Sequence, residues 1–177
     1  MRVIGLTGGI ACGKSNVSDT LRTLGAFIID GDAIARQLTL PGGMALAALR
    51  EAFGDGVFAA DGSLNRRALG ARVFADSQAR ATLDGIMQPM IRQEIQRLMA
   101  QARTLGAAVC VLDMPLLYET GLEQWCDRVW CVALPRETQL RRLMARDNLS
   151  RPEAETRVNS HLPAAEKAAR AQVVIDT

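Results

Sequence analysis

The stretch IGLTGGIACGKS, Ile4–Ser15, decides the fold of this 177-residue chain. It opens inside a short apolar run, Val3–Leu6, of the kind that forms a strand covered on both faces. The eight residues Gly8–Ser15 fit the pattern G-x-x-x-x-G-K-[ST]. A glycine-rich turn between a buried strand and a helix predicts a loop whose backbone N–H groups surround phosphate.

The residue types of this loop predict binding of ATP together with Mg²⁺. The Lys14 ammonium is placed to reach the β- and γ-phosphates, and the Ser15 hydroxyl is placed to ligate the cation. The predicted nucleotide-binding residues are Gly8, Gly9, Ile10, Ala11, Cys12, Gly13, Lys14 and Ser15. A chance glycine-rich turn is the alternative, and it is disfavoured because strand, glycines, lysine, serine and helix occur in the required order.

Helical and strand patterns alternate after the loop. Apolar residues first recur at helical spacing, at Val17, Leu21 and Leu24. Gly25 then offers a helix stop, and a second apolar run at residues 26–29 completes a strand–helix–strand unit. This unit predicts a parallel sheet with a right-handed crossover. Further strands are predicted at residues 107–112, 129–133 and 173–176.

The rest of the chain carries mainly helical signals. One predicted buried stripe consists of Ile91, Ile95, Leu98 and Met99. After Pro135 the chain becomes helical and strongly basic, and Ser150 with Glu153 forms a capping box that begins a new helix. Residues 54–62 are rich in Gly and Asp and are predicted to form a loop.

Composition excludes several classes of function. A formal net charge of +2 gives no argument for nucleic-acid binding, and no apolar run approaches the ~20 residues of a membrane span. The four cysteines show no C-x-x-C pair and no zinc-type spacing with the only histidine, His161. Cys12 lies in the phosphate loop, where we expect a thiol-alkylating reagent to block activity. We therefore expect a cytoplasmic protein without nucleic-acid or membrane partners.

Carboxylates follow two of the predicted strands. The pair Asp30 and Asp32, and also Asp113, lie at carboxyl ends of strands, where parallel α/β sheets bind their ligands. With a single histidine in the chain, a carboxylate is the better candidate for a general base or a magnesium ligand. Asp-Gly-Asp is also good turn chemistry, so a purely structural role stays open. Beside a phosphate loop, the functional interpretation of Asp32 is favoured.

Several segments taken together resemble the dephospho-CoA kinase family. The phosphate loop is similar, and IIDGDAIARQL at Ile28–Leu38 matches the family signature D-x-D-x-x-A-R, which is more specific than the loop. Further matches occur in order over nearly the whole chain: LNRRALG at Leu64–Gly70, LDMPLLYETG at Leu112–Gly121, ETQLRRLMARD at Glu137–Asp147 and VVID at Val173–Asp176.

The resemblance implies ATP-dependent phosphorylation of the ribose 3′-hydroxyl of dephospho-CoA, the last step of coenzyme A biosynthesis. It also implies an α/β fold of the P-loop NTPase type, a three-layer α/β/α parallel sheet with a helical substrate-binding insertion and a lid. We expect one domain over residues 1–177, with its core at about 1–53, 107–135 and 171–177. The helical CoA-binding insertion is expected at about 54–106 and the lid at about 136–170.

The positions of residues in these motifs imply their roles. Asp32 is the expected general base for the 3′-hydroxyl, and Asp113 is expected to support Mg²⁺ with Ser15, directly or through water. Lys14 and the lid residues Arg141 and Arg146 would offset charge on the transferring phosphoryl group. A solvated helix face is the alternative for the arginines. The expected substrate-binding residues are Asp32, Arg36, Leu64, Arg67, Gln88 and Leu116.

The chain departs from the family pattern at several places. Gln88-Pro89 stands where a His-Pro pair is usual, and a neutral amide cannot become cationic. Ala11-Cys12 replaces a common Gly-Ser in the loop, and His161 stands near the lid where glutamine is common. The family continues past the last strand with a polar loop and a helix, and their absence after Thr177 is expected to loosen adenine binding.

Two other functions are compatible with the phosphate loop alone. One is a different P-loop metabolite kinase, acting on a nucleoside, a nucleotide or a sugar acid. The other is a GTPase-like switch or regulatory nucleotide-binding module. Against the switch, Asp113 is followed by Met114-Pro115-Leu116 rather than the D-x-x-G of a γ-phosphate sensor, and no N-K-x-D is present to read guanine.

Overall fold

A five-stranded parallel sheet forms the centre of the computed structural model, which describes all residues 1–177. The strands are β1 Arg2–Gly8, β2 Phe27–Asp30, β3 Val109–Asp113, β4 Arg128–Ala133 and β5 Val173–Asp176. Their order in the sheet is β2-β3-β1-β4-β5, and every neighbouring pair is parallel. The sequence-based prediction of a parallel α/β sheet is therefore confirmed, with the strand that carries the phosphate loop at its centre.

Continuous apolar sequence explains why these strands lie inside. Leu6 of β1, Val111 of β3 and Val132 of β4 are fully buried in one cluster with Cys12. Val17 and Leu21 pack against the same cluster from the following helix. Leu112 and Cys131, which alternate with these residues and point to the opposite face, are also fully buried, so both faces of the central strands exclude water.

Eight α-helices complete the fold. They are α1 Lys14–Thr23, α2 Gly31–Leu38, α3 Leu46–Phe53, α4 Arg66–Ala75, α5 Ser77–Thr104, α6 Arg136–Asp147, α7 Arg151–Asn159 and α8 Ala164–Arg170. Short 3₁₀ turns occupy Asp55–Val57 and Leu122–Trp125. No helix, including the 28-residue α5, combines the length and the apolar character of a membrane span.

The chain divides into two compact units. The first consists of residues 1–30 and 99–177, and it contains the sheet, the phosphate loop and helices α6 to α8. The second consists of residues 31–98 and contains α2, α3, α4 and most of α5. The functional division into core, CoA-binding insertion and lid stays a prediction.

Helical periodicity correctly predicts which residues are buried inside the helices. The same prediction is wrong at one helix end. Ile91, Ile95 and Met99 of the α5 stripe are buried as expected. Leu24 was expected to share the buried face of α1, but it is 77% exposed. The helix ends at Thr23, and Leu24 follows it as a capping residue whose direction no longer obeys the helical period.

Two glycines provide a matched test of the packing around β1. A methyl group on Gly5 would lie 2.6 Å from Leu117 Cδ2 and 2.9 Å from Cys126 Sγ, whereas one on Gly70 of α4 meets nothing within 4 Å. We expect Gly5→Ala to lower the free energy of unfolding by about 1–3 kcal/mol through overpacking. Gly70→Ala should raise it by about 0.4–1 kcal/mol because the unfolded chain loses freedom. Urea unfolding followed by circular dichroism measures both, and shifts of the same sign would contradict this account.

Candidate active site at the phosphate loop

The phosphate loop enters α1 through two residues of left-handed backbone. Ala11 has a φ of 58° and Gly13 has a φ of 85°. Left-handed residues in such a loop turn successive N–H groups toward one side, which creates a concave anion-binding surface. Glycine adopts this conformation freely, whereas an alanine there carries a strain on the order of 1–3 kcal/mol. Strain of this kind is concentrated at ligand-binding sites.

Cys12 faces the interior of the sheet rather than the concave side of the loop. Its side chain is 2% exposed and packs with Leu6, Val111 and Val132. Burial raises the pKa of the Cys12 thiol, against the smaller opposite effect of Lys14. A buried neutral thiol reacts slowly, so the structure argues against the expectation that alkylation at this position blocks activity.

Strand register brings Lys14 and Asp113 together. Leu6 of β1 and Asp30 of β2 each pair with Asp113 of β3, so three strand ends meet where the loop begins. The Lys14 ammonium donates a charge-assisted hydrogen bond to the Asp113 carboxylate, and both side chains are largely buried. Two residues predicted separately, one for phosphate and one for the metal, thus form one ion pair.

Oxygen donors at this point suit a magnesium ion that is bound together with a nucleotide. Mg²⁺ usually keeps several waters and takes one or two protein oxygens plus substrate phosphates. Ser15 in the exposed first turn of α1 and Asp113 at the end of β3 supply such oxygens. The chain contains no cluster of three or more His, Cys, Asp or Glu side chains that would hold a metal through protein ligands alone.

Gln139 of α6 is a site residue that sequence analysis missed. Its side chain is buried, and its Nε2 donates a hydrogen bond to Ile10 O of the phosphate loop at 2.8 Å. Ile10 and Ala11 also pack against an apolar cluster of α6 and α7 formed by Leu140, Leu143, Ala154 and Val158. The helices of the predicted lid therefore support the outer side of the loop. The sequence contained one signal for this contact. Gln139 lies four residues before Leu143, so it is a polar residue on the apolar side of α6.

The two predicted lid arginines differ in their surroundings. Arg141 is exposed on α6 and makes no ion pair. Arg146 binds the Asp147 carboxylate in bidentate fashion at 2.7 and 3.0 Å, and Arg157 donates to the same carboxylate at 2.8 Å. The charge of Arg146 is thus already offset by a neighbour, whereas the guanidinium of Arg141 is available to an anionic ligand.

The second unit contains most of the predicted substrate residues. Asp32 lies in the first turn of α2, so the Asp-Gly-Asp sequence begins a helix here. Arg66 of α4 donates to Thr39 Oγ1 at 2.6 Å and to Arg36 O at 3.2 Å, which ties α4 to the end of α2. The side chains of Arg36 and Arg67 are exposed and form no ion pair.

The remaining predicted substrate residues offer mainly apolar contacts and one amide. Leu64 of the second unit is half-buried and forms an isolated antiparallel bridge with Phe58. Gln88 lies on α5 beside Pro89, and its Oε1 is buried without a hydrogen-bond partner. Leu116 is half-buried in the turn that follows β3 in the first unit.

The fold and the loop define a class of protein, the P-loop nucleotide-binding proteins. A five-stranded parallel sheet and a G-x-x-x-x-G-K-S loop between β1 and α1 are the features of this class. The solved shikimate kinase from Bacteroides thetaiotaomicron superposes with a TM-score of 0.52 over 99% of this chain and 86% of that one. At 13% identity this likeness concerns the fold alone. A P-loop kinase uses a nucleoside triphosphate as phosphoryl donor.

Comparison with closer relatives identifies the family. The family described as dephospho-CoA kinase matches residues 2–177. The dephospho-CoA kinase of Geobacter sulfurreducens is 50% identical over 176 residues, which cover 99% of this chain and 89% of that protein. A crystal structure from Thermus thermophilus, 36% identical, gives a TM-score of 0.85 with 99% and 88% covered. Dephospho-CoA kinase from Campylobacter jejuni, 29% identical, gives 0.73 with 100% and 89% covered. The chain belongs to the dephospho-CoA kinase family, and the resemblance seen in its motifs is confirmed.

The hydrogen bond from Gln139 to the loop leads to a specific prediction. Gln139→Leu keeps the size of the side chain but removes the donor to Ile10 O. Loss of one such bond costs about 1 kcal/mol, so we expect the KM for ATP to rise roughly fivefold. Gln101→Leu, on an exposed position of α5, is the matched control. Steady-state kinetics with varied ATP measure the effect, and equal KM values for both variants would contradict a role for Gln139.

Proposed function

We infer that this chain phosphorylates dephospho-CoA with ATP to give coenzyme A and ADP, the final step of coenzyme A biosynthesis. The observation that carries this inference is the match of the dephospho-CoA kinase family to residues 2–177. The phosphate loop supports it, because its backbone and Lys14 suit the binding of a triphosphate. The protein acts in the cytoplasm on small molecules, and its four free cysteines are consistent with a reducing compartment.

The acceptor is the ribose 3′-hydroxyl, and Asp32 acts as its general base. A bond forms between the hydroxyl oxygen and the γ-phosphorus, and the bond from that phosphorus to the bridging oxygen of ADP breaks. The hydroxyl proton passes to the Asp32 carboxylate. The place of Asp32 two residues after the carboxyl end of β2 supports this assignment, because ligands of parallel sheets bind beyond such ends.

Cationic side chains stabilise the transferring phosphoryl group. Lys14 exchanges the Asp113 carboxylate for phosphate oxygens, and Arg141, which has no ion pair, adds a second positive charge. Arg146 contributes after it separates from Asp147. Ser15 and Asp113 would hold Mg²⁺, directly or through water, and the bound ion would offset negative charge on the β- and γ-phosphates.

The second unit supplies recognition of dephospho-CoA. Arg36 and Arg67 present exposed guanidinium groups without counter-ions, which suits the phosphates of this substrate. Leu64 and Leu116 give apolar contact. The half-buried side chain of Gln88 hydrogen-bonds the substrate through its amide, a role that a neutral group performs without charge.

Acceptor profiling tests the proposed function. ADP release is measured with dephospho-CoA, adenosine, AMP, gluconate and shikimate, and the phosphorylated position is determined by NMR. We expect turnover with dephospho-CoA alone and a 3′-phosphate product. Faster turnover of another acceptor would instead indicate a different metabolite kinase. Nucleotide binding without transfer to any acceptor would indicate a switch or regulatory module.

Substitution of Asp32 tests its role as the general base. Asp32→Asn removes the proton acceptor but keeps the size of the side chain, so kcat should fall by roughly 10²–10⁴. Binding of an ATP analogue, measured by calorimetry, should stay within about twofold, since the phosphate loop is unchanged. Glu51→Gln, on an exposed position of α3, is the control. Near-wild-type turnover by Asp32→Asn would rule out Asp32 as the general base.

A further inference from the structure

Lys167 on α8 is a lysine without any exposed surface. Its side chain is 0% exposed, which is rare for lysine unless the ammonium is paired. The ammonium donates hydrogen bonds to Pro115 O at 2.6 Å and to Glu119 Oε1 at 2.8 Å. One buried charge thus joins the short helix α8 to the turn that follows β3.

The carbonyl that Lys167 binds is shared with the strand that carries the phosphate loop. Pro115 O also accepts a hydrogen bond from Thr7 Oγ1 at 3.1 Å, and Thr7 is a fully buried residue near the end of β1. In the same turn, Met114 N donates to Leu6 O at 3.0 Å. The turn directly after Asp113 is therefore fixed both to β1 and to α8.

The other partner of Lys167 anchors the chain that returns from the basic helices. Glu119 Oε1 accepts a hydrogen bond from Leu162 N at 3.0 Å, just before α8 begins. Burial alone would raise the pKa of Glu119, but the bonds from Lys167 and from backbone N–H groups hold that pKa below its ordinary value. Helix α8 also contacts the phosphate loop itself, because a methyl group on Gly9 would lie 3.1 Å from Ala164 Cβ.

We propose that Lys167 is a positioning residue for phosphoryl transfer, which holds the turn after Asp113 in register with the phosphate loop. The proposal rests on the proposed function of the chain. When ATP binds, Lys14 would leave Asp113 for the phosphates, and the carboxylate would lose its only ion-pair partner within the protein. From then on, the position of Asp113 depends on its strand and on the turn that Lys167 holds at Pro115. A displacement on the order of 1 Å at a reacting centre can cost about 10² in rate.

Lys167 and Glu119 differ in burial, so substitutions of the two residues should affect protein stability and turnover to different extents. Lys167 is fully buried, whereas the Glu119 side chain is 25% exposed. Lys167→Met leaves a carboxylate that water can reach, so the loss of stability should be modest, but the bond to Pro115 O disappears. Glu119→Gln keeps that bond and the acceptor for Leu162 N, yet it leaves a buried ammonium without a counter-charge, which is the more destabilising change.

The two variants should therefore rank in opposite order for stability and for turnover. We expect Glu119→Gln to have the lower Tm and a kcat within about threefold of wild type, because the tether to Pro115 is retained. We expect Lys167→Met to have the higher Tm of the two and a kcat lowered roughly 10- to 100-fold. Lys167→Arg, which retains a donor, should recover part of the lost kcat.

Thermal unfolding and steady-state kinetics with ATP and dephospho-CoA give both readouts. Loss of kcat in parallel with Tm across the three variants would overturn the positioning role, and so would a wild-type kcat in Lys167→Met. An assay of the wild-type protein distinguishes failure of the proposed function from failure of the positioning role of Lys167. Absence of turnover by the wild type contradicts the proposed function, whereas normal wild-type turnover makes the comparison between variants a direct test of Lys167.

Discussion

The parallel register of β1 beside β3 is the constraint on which the site depends. Leu6 pairs with Asp113, so the strand that leads into the phosphate loop and the strand that ends in a carboxylate finish side by side. Because α1 begins directly after the loop, the Lys14 ammonium reaches that carboxylate, and neither group needs a long or flexible segment to meet the other. A shift of one residue in this pairing would separate the ion pair and turn the apolar residues of β1 to the opposite face.

The phosphate loop is supported from outside by buried polar side chains rather than by apolar packing alone. Gln139 donates to Ile10 O in the loop, and Lys167 donates to Pro115 O in the turn after β3. Both donors come from helices in the last third of the chain. A hydrogen bond in a buried environment has a narrow range of acceptable geometry, so these contacts hold backbone positions more exactly than contacts between methyl groups do. The apolar cluster around Leu140 and Leu143 buries surface from water, and the polar contacts fix the orientation of the backbone groups that they bind.

Much of this structure follows from local sequence pattern, and the parts that do not follow are tertiary. The five strands and the loop were predictable because continuous apolar runs and the G-x-x-x-x-G-K-S sequence are local signals. The place of Asp113 at the carboxyl edge of the sheet was predictable because it ends such a run. The hydrogen bonds of Gln139 and Lys167 were not predictable, since their backbone acceptors lie 129 and 52 residues away and no periodicity encodes such a pairing. Leu24 was misjudged because helical spacing was continued beyond the helix end.

In the Lys14–Asp113 ion pair, the phosphate loop has a counter-ion supplied by the protein itself. An incoming anion must displace the Asp113 carboxylate from Lys14, and a small monovalent anion gives the carboxylate no new partner in return. A nucleotide that arrives with a divalent cation offers a replacement to both sides, phosphate oxygens for the lysine and positive charge for the aspartate. A ligand shifts such an equilibrium only through its difference in affinity for the two states. We therefore expect the pair to favour a nucleotide that carries a divalent cation over free phosphate, before any contact with the nucleobase is made.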